Sequence, residues 1–233
     1  MTTLSTSTTA PIRPTHGTPS STLRLLTAGA AAGPFFYASA SVQMLVRDGF
    51  DLRVHPISQL ATGDLGWIQT ATFALTGLGV IALAVAHRRV VPDGVGRRAV
   101  PVLLAIAGLG FVLAGLFVMD PQHGFPLGTP DGPAPATSWH AVVHSSAAVL
   151  AFTALAVAYV VLTVRAVRER QVTAAFGHGL VALVLLAPVS PTSASLQVAA
   201  TGVVAFAWTT AYALRLRRRV ATGQQTHDRG EAR

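Results

Sequence analysis

The chain contains no cysteine, which removes disulfides, thiolate metal ligands, cysteine nucleophiles and S-palmitoylation together. Any metal must therefore be held by histidine and carboxylate. Lysine is missing too, so all 17 basic residues are arginine, a bias that fits a GC-rich, alanine-rich coding sequence. Charge of either sign is scarce: Asp, Glu, Lys and Arg make up 11% of the 233 residues, where a soluble domain carries nearer a quarter. That shortage argues against a soluble domain. The net charge of +8 and a pI near 11.5 do not indicate nucleic acid, because the arginines sit at segment ends and form no stripe interleaved with aromatics.

What the chain has in abundance is apolar sequence, 51% of its residues. Residues 1–22, rich in Ser, Thr and Pro, cannot offset the entropy of ordering and are expected to form a disordered tail. From Leu23 to about Val46 the chain is apolar for long enough to cross roughly 30 Å of hydrocarbon. This run holds Gly29-x-x-x-Gly33, a close-packing pattern, and Gly33-Pro34, a kink signal. Ala38-Ser39-Ala40 matches a signal-peptidase site, but the run continues to Val46 and favours a retained helix. Further runs follow at about Trp67 to Ala86, Ala99 to Met119, Trp139 to Val164, Thr173 to Ala187 and Leu196 to Leu214. The expected fold is all-α, a polytopic membrane bundle of six transmembrane helices over residues 23–214, followed by a basic disordered tail over 215–233.

Arginine placement orients this bundle. Arg88, Arg89, Arg97 and Arg98 fall in the second loop, Arg165, Arg168 and Arg170 in the fourth, and Arg215, Arg217, Arg218 and Arg219 after the last run. The positive-inside rule then puts both termini and loops two and four in the cytoplasm, and loops one, three and five outside the cell membrane. Trp67, Trp139, Trp208 and Tyr212 stand near run ends, as interfacial belts require.

With that orientation the chemistry gathers outside. Asp120 lies where the third run stops, just before Pro121. A carboxylate there faces the negative end of a helix macrodipole and wants a cation, either a metal, a protonated histidine, Arg47 or Arg53, unless it accepts loop N–H groups in an Asx-type turn. His140 and His144 open the fourth run behind Thr137 or Ser138 as N-cap, with their imidazoles about 40° apart on one helix face, the geometry of a chelating pair. His55, Asp120 or His123 supplies a third ligand in a zinc reading; in the alternative, the two histidines simply bond loop backbone. His140 is followed by Ala141, so the H-E-x-x-H base of a metalloprotease is missing.

Loop one contributes Ser58, three residues after His55 and on the same face of a short interfacial helix over His55 to Thr62. Ser58 reads as an activated hydroxyl, an oxyanion donor or a packing serine. Asp64 reads as the N-cap of the second helix, and Gln69 as a polar group facing the bundle that bonds either a substrate carbonyl or another helix.

The block His55-Pro56-Ile57-Ser58 with Gly66-Trp67-Ile68-Gln69, then Asp120-Pro121, Gly124, Pro126 and the His140/His144 pair, resembles the six-helix bacterial and archaeal membrane proteins grouped as domain of unknown function 998. That resemblance implies the fold and the membrane placement, with no activity to carry over. A looser likeness is to the alkaline ceramidase and adiponectin-receptor hydrolases, which use a Ser, an Asp and three zinc-binding His. Ser58, Asp120, His55, His140 and His144 would fill those roles, although helix count and motif order differ.

Two functions are thus in play. The first is a metal-dependent hydrolase of a lipid or amide at the outer leaflet, with zinc on His55, His140 and His144, Asp120 as base, and Ser58 or Gln69 polarising the carbonyl. The second is a non-enzymatic scaffold or ligand-binding protein whose polar groups cap helices and tie loops. A haem carrier using His87 and His178 ranks below both, and so does a transporter, because the helix midplanes are apolar. Substrate and oligomeric state are not legible in the sequence.

Overall fold

A computed structural model describes residues 19–231, with side chains from residue 20 to 222. Its backbone is all-α: α1 (Pro19–Val46), a 3₁₀ helix (Ile57–Ala61), α2 (Gly66–Val90), α3 (Ala99–Leu116), α4 (Trp139–Arg168), α5 (Val172–Leu186) and α6 (Ala194–Glu231). Five of these helices are long and apolar enough to cross a membrane, and α5 is a shorter apolar helix. Several such helices make this a multi-pass membrane bundle. At 1.5 Å per residue, the 15 residues of α5 reach only about 22 Å, short of a full hydrocarbon core.

Helix α1 runs unbroken through Pro34 and across Ala40 to Val46. Helix α6 carries helical backbone past Leu214 into the segment expected as a tail. Residues 1–18 of the N-terminal tail and residues 232–233 lie outside the described residues.

Successive helices pack as neighbours, α1 on α2, α2 on α3, α3 on α4 and α4 on α5, while α6 returns to α1 and touches α5 only lightly. In lipid there is no hydrophobic drive for helices to meet, so close packing has to come from small residues. Gly77 and Gly108 supply it between α2 and α3, where a Cβ on Gly77 would lie 2.4 Å from the Gly108 carbonyl oxygen. The Gly29/Gly33 pattern serves two partners, with Gly29 against Leu83 of α2 and Gly33 against Phe206 of α6.

The middle of the bundle is an aromatic cluster to which five helices each give one phenylalanine. Phe36 meets Phe73 edge-on at 5.2 Å and stacks on Phe206 at 5.7 Å, while Phe111 touches Phe206 at 5.1 Å and Phe152 at 5.7 Å. Hydrogen bonds across helices flank this cluster. Tyr37 donates to the Ala199 carbonyl, the Tyr159 and Thr209 hydroxyls pair at 2.5 Å, and Gln43 donates to Gln69 Oε1 at 2.7 Å.

The two ends differ in composition. At one end Arg89 donates to Ser21 at the start of α1, and Arg165 donates to the carbonyls of Asp93 and Val95 in the α2–α3 loop. At the other end Ser195, opening α6, donates to the Val54 carbonyl. Loops α1–α2 and α3–α4, with His55 and His123, occupy that end, termed here the histidine end.

Trp67 and Trp139 are exposed near it, 67% and 62% respectively, as belt residues should be. Trp208 and Tyr212 instead turn inward, Trp208 donating to His178 and Tyr212 pairing with His87. Asp64 does not cap α2. The cap position is Leu65 with no side-chain bond, because Gly66 lets the helix start directly against the Ala61 carbonyl, where a Cβ would clash at 2.1 Å.

Candidate functional site

At the histidine end the chain after α1 is pinned by Arg47. Its guanidinium donates to the carbonyls of Leu60 and Thr62, closing the 3₁₀ helix, and lies 4.8 Å over the Phe125 ring. Phe125 is buried and meets the rings of Phe50 and His55, so the Pro/Gly-rich α3–α4 loop is anchored from inside. Partial burial lowers the Arg47 pKa from its usual value. Nearby, Asp51 is held below the usual carboxylate range by hydrogen bonds from Arg53, and the same contact raises Arg53.

His55 is buried, and both its nitrogens are engaged. Nδ1 accepts from the Asp51 N–H at 2.9 Å, and Nε2–H donates to the His123 carbonyl at 2.9 Å. That arrangement ties the α1–α2 and α3–α4 loops together and leaves no lone pair free on the ring. Gln69, fully buried, sits deeper in the α1–α2 interface as the partner of Gln43.

Asp120 accepts a main-chain N–H and not a side-chain cation. Its Oδ2 accepts the Ser138 N–H at 2.7 Å, and Ser138 caps α4 by accepting from the Ala141 N–H. A carboxylate at that position faces the positive end of the α4 dipole, which answers the need for a cation.

The i, i+4 pair opens in two directions. His140 is exposed and packs on Trp139 and Phe117, with ring centroids at 3.8 and 5.7 Å. His144 is buried against Phe73, and its Nδ1–H is shared between the carbonyls of Ala114 and Phe117 at 2.7 and 3.0 Å. Those are end-of-helix carbonyls of α3, which lack intrahelical donors. Among the described residues, no group of three or more His, Cys, Asp or Glu side chains comes together in a way that could hold a metal ion.

The structure does bring Ser58 and His144 to one cavity. It measures about 80 Å³ and lies beneath the 3₁₀ helix, with Phe36, Tyr37, Phe111 and Phe206 among its other walls. Ser58 Oγ donates to Met119 Sδ at 2.9 Å, a weak acceptor. With Nδ1–H spent on carbonyls, neutral His144 keeps its Nε2 lone pair, and that atom has no hydrogen-bond partner among the described residues. The cavity is therefore an aromatic slot bordered by the His144 acceptor and the Ser58 hydroxyl, while the hydroxyls of Tyr37 and Ser195, also in its walls, are given to the carbonyls of Ala199 and Val54.

Gln43 and Tyr37 are the residues the sequence reading passed over. Gln43 did carry a signal, a long polar side chain inside an apolar run. Tyr37 carried none, since nothing local separates a lining tyrosine from an interfacial one.

Neither a curated protein nor a solved structure matches this chain. The model of the family described as "Protein of unknown function (DUF998)" matches residues 30–217, and the protein belongs to that family.

Proposed function

We propose that this protein binds an amphipathic, lipid-like molecule at the histidine end, with the apolar part in the aromatic slot and a hydroxyl donated to His144 Nε2. The observation that carries this reading is the arrangement at His144: a buried ring, locked by two backbone carbonyls, that presents an acceptor to a mostly apolar cavity. A lone pair facing a mostly apolar cavity gives a ligand hydroxyl a defined acceptor. The positive-inside rule assigns the arginine-rich end and both termini to the cytoplasm, so the ligand comes from the outer leaflet. The test is photo-crosslinking of the purified chain with a diazirine-bearing monoacylglycerol. Labelling at Phe36, Tyr37, Phe111 or Phe206 that unlabelled monoacylglycerol displaces supports the reading, and labelling spread evenly over the lipid-facing surface defeats it.

The second reading keeps the hydrolysis of a lipid ester or amide, and what favours it is that Ser58 and His144 share the slot. In its zinc form, His55 must give up its bonds to Asp51 and His123, and His140 must leave Trp139 and turn toward His144. Asp120 must leave Ser138 to act as base, and Gln69 must leave Gln43 to reach a carbonyl. Release of fatty acid from a fluorogenic lipid ester, lost on chelation and restored by zinc, selects this reading. Binding without turnover selects the first.

A further inference from the structure

The other end of the bundle holds a larger space that the proposed function does not use. Because α5 packs on α4 and only lightly on α6, a crevice of about 410 Å³ opens between α5 and α6. Gln171, Thr173, His178, Trp208, Tyr212 and Arg215 are among its walls. A neighbouring cleft shares His178, Tyr212 and Arg215 and adds Arg165 and Arg219. Most of the crevice is apolar, and its charge is concentrated at the α6 end.

The charge there is unbalanced. Glu169, the nearby carboxylate, is already engaged by Arg165 at 2.7 Å and by the Gln171 amide at 2.8 Å. Arg215 meets only the neutral Oε1 of Gln171, and no carboxylate pairs with it among the described residues. A second donor lies deeper. His178 is 5% exposed, and its Nδ1 accepts the indole N–H of Trp208 at 2.8 Å. Indole only donates, so the His178 proton must sit on Nε2, and that N–H has no partner among the described residues. A guanidinium without an acid and an N–H without an acceptor among the described residues thus line the same mostly apolar crevice.

We infer that this crevice binds one anionic phospholipid from the leaflet at the arginine-rich end, its phosphate held by Arg215 and the His178 Nε2–H and an acyl chain lying between α5 and α6. The apolar walls suit a chain, and only an anion complements both donors.

The experiment uses the full chain in a zwitterionic detergent, titrated with dioleoyl phosphatidylglycerol or dioleoyl phosphatidylcholine, with bound lipid counted by native mass spectrometry. One phosphatidylglycerol should be retained at concentrations about fivefold below those needed for phosphatidylcholine, the weight of one basic side chain at a membrane surface. Arg215→Gln, at an exposed position, should abolish that preference, whereas Arg168→Gln, also exposed but outside the crevice, should keep it. Millimolar inorganic phosphate should not displace the lipid. Equal retention of the two lipids, an unchanged preference in Arg215→Gln, or displacement by phosphate alone overturns the inference. In a Trp67→Phe, Trp139→Phe chain, brominated-acyl phosphatidylglycerol should quench Trp208, and absence of quenching overturns the placement of the chain.

Discussion

His144 and His178 are buried to a similar degree at opposite ends of one bundle, and each borders a cavity, yet they face it with opposite chemistry. At the histidine end Nδ1–H is given to two α3 carbonyls, so the cavity meets a lone pair. At the arginine-rich end Nδ1 accepts from Trp208, so the crevice meets an N–H. One residue type thus presents an acceptor in one place and a donor in the other, and the choice is made by what lies behind the ring.

Breaking the support behind His144 should have the largest effect. In His144→Leu, the Ala114 and Phe117 carbonyls lose their side-chain donor, at a cost of about 1–3 kcal/mol. Denaturant unfolding in detergent micelles measures it, and monoacylglycerol crosslinking in the slot should vanish. His144→Asn restores an N–H toward the carbonyls and an amide oxygen toward the slot, so most of the stability should return. If Leu and Asn are equally stable, the carbonyls do not hold the ring.

The corresponding break at the other end comes from Gly177. A Cβ there would lie 2.2 Å from the Trp208 ring, a contact that the rigid indole can relieve only by moving away from α5. Gly177→Ala should therefore cost the Trp208–His178 bond, about 1 kcal/mol, and red-shift Trp208 emission in the chain that lacks the other two tryptophans. An unshifted spectrum would mean that the indole does not depend on this contact. Phosphatidylglycerol preference should weaken with it, because an untied His178 is free to turn its proton to Nδ1.

The sequence carried the architecture because the signals for it are additive and local. Apolar runs and clustered arginines marked the helices and the two ends. The site was less legible, since its partners are backbone groups set by tertiary structure. Asp120 was expected to take either a cation or loop N–H groups, and its donor is a main-chain N–H 18 residues on, which no side-chain pattern announces. His55 is likewise tied by the Asp51 N–H and the His123 carbonyl. The spacing of His140 and His144 placed them on one face, but not which way each ring turns. That depends on α3 ending beside α4 and on Trp139 covering His140.

Ser58→Ala separates the two readings of the histidine end at little structural cost. Its bond to Met119 sulfur is weak, so stability should change by less than about 0.5 kcal/mol. A binding slot should keep its crosslinking. Hydrolysis through Ser58 would lose turnover altogether, so a folded, ligand-binding but inactive variant would move the assignment to the second reading.

The smallest expected effect lies in the loop that carries His55. The Asp51 carboxylate is depressed by hydrogen bonds from Arg53, so its stabilisation is fully present above the unfolded-state pKa and is lost as pH falls through the lower folded value. The window is therefore acidic, below the ordinary Asp value of about 4. Asp51 is exposed to solvent, which screens the pair and keeps the effect small. Asp51→Asn should shift the unfolding midpoint slightly at pH 7, and the shift should fade toward pH 3, where the wild-type carboxyl is itself being protonated. The Asp51 N–H that supports His55 Nδ1 belongs to the backbone and survives the substitution. Crosslinking in the slot should then be unchanged at pH 7. A loss there would show that the Asp51 side chain, and not only its main chain, sets the position of His55 above the cavity.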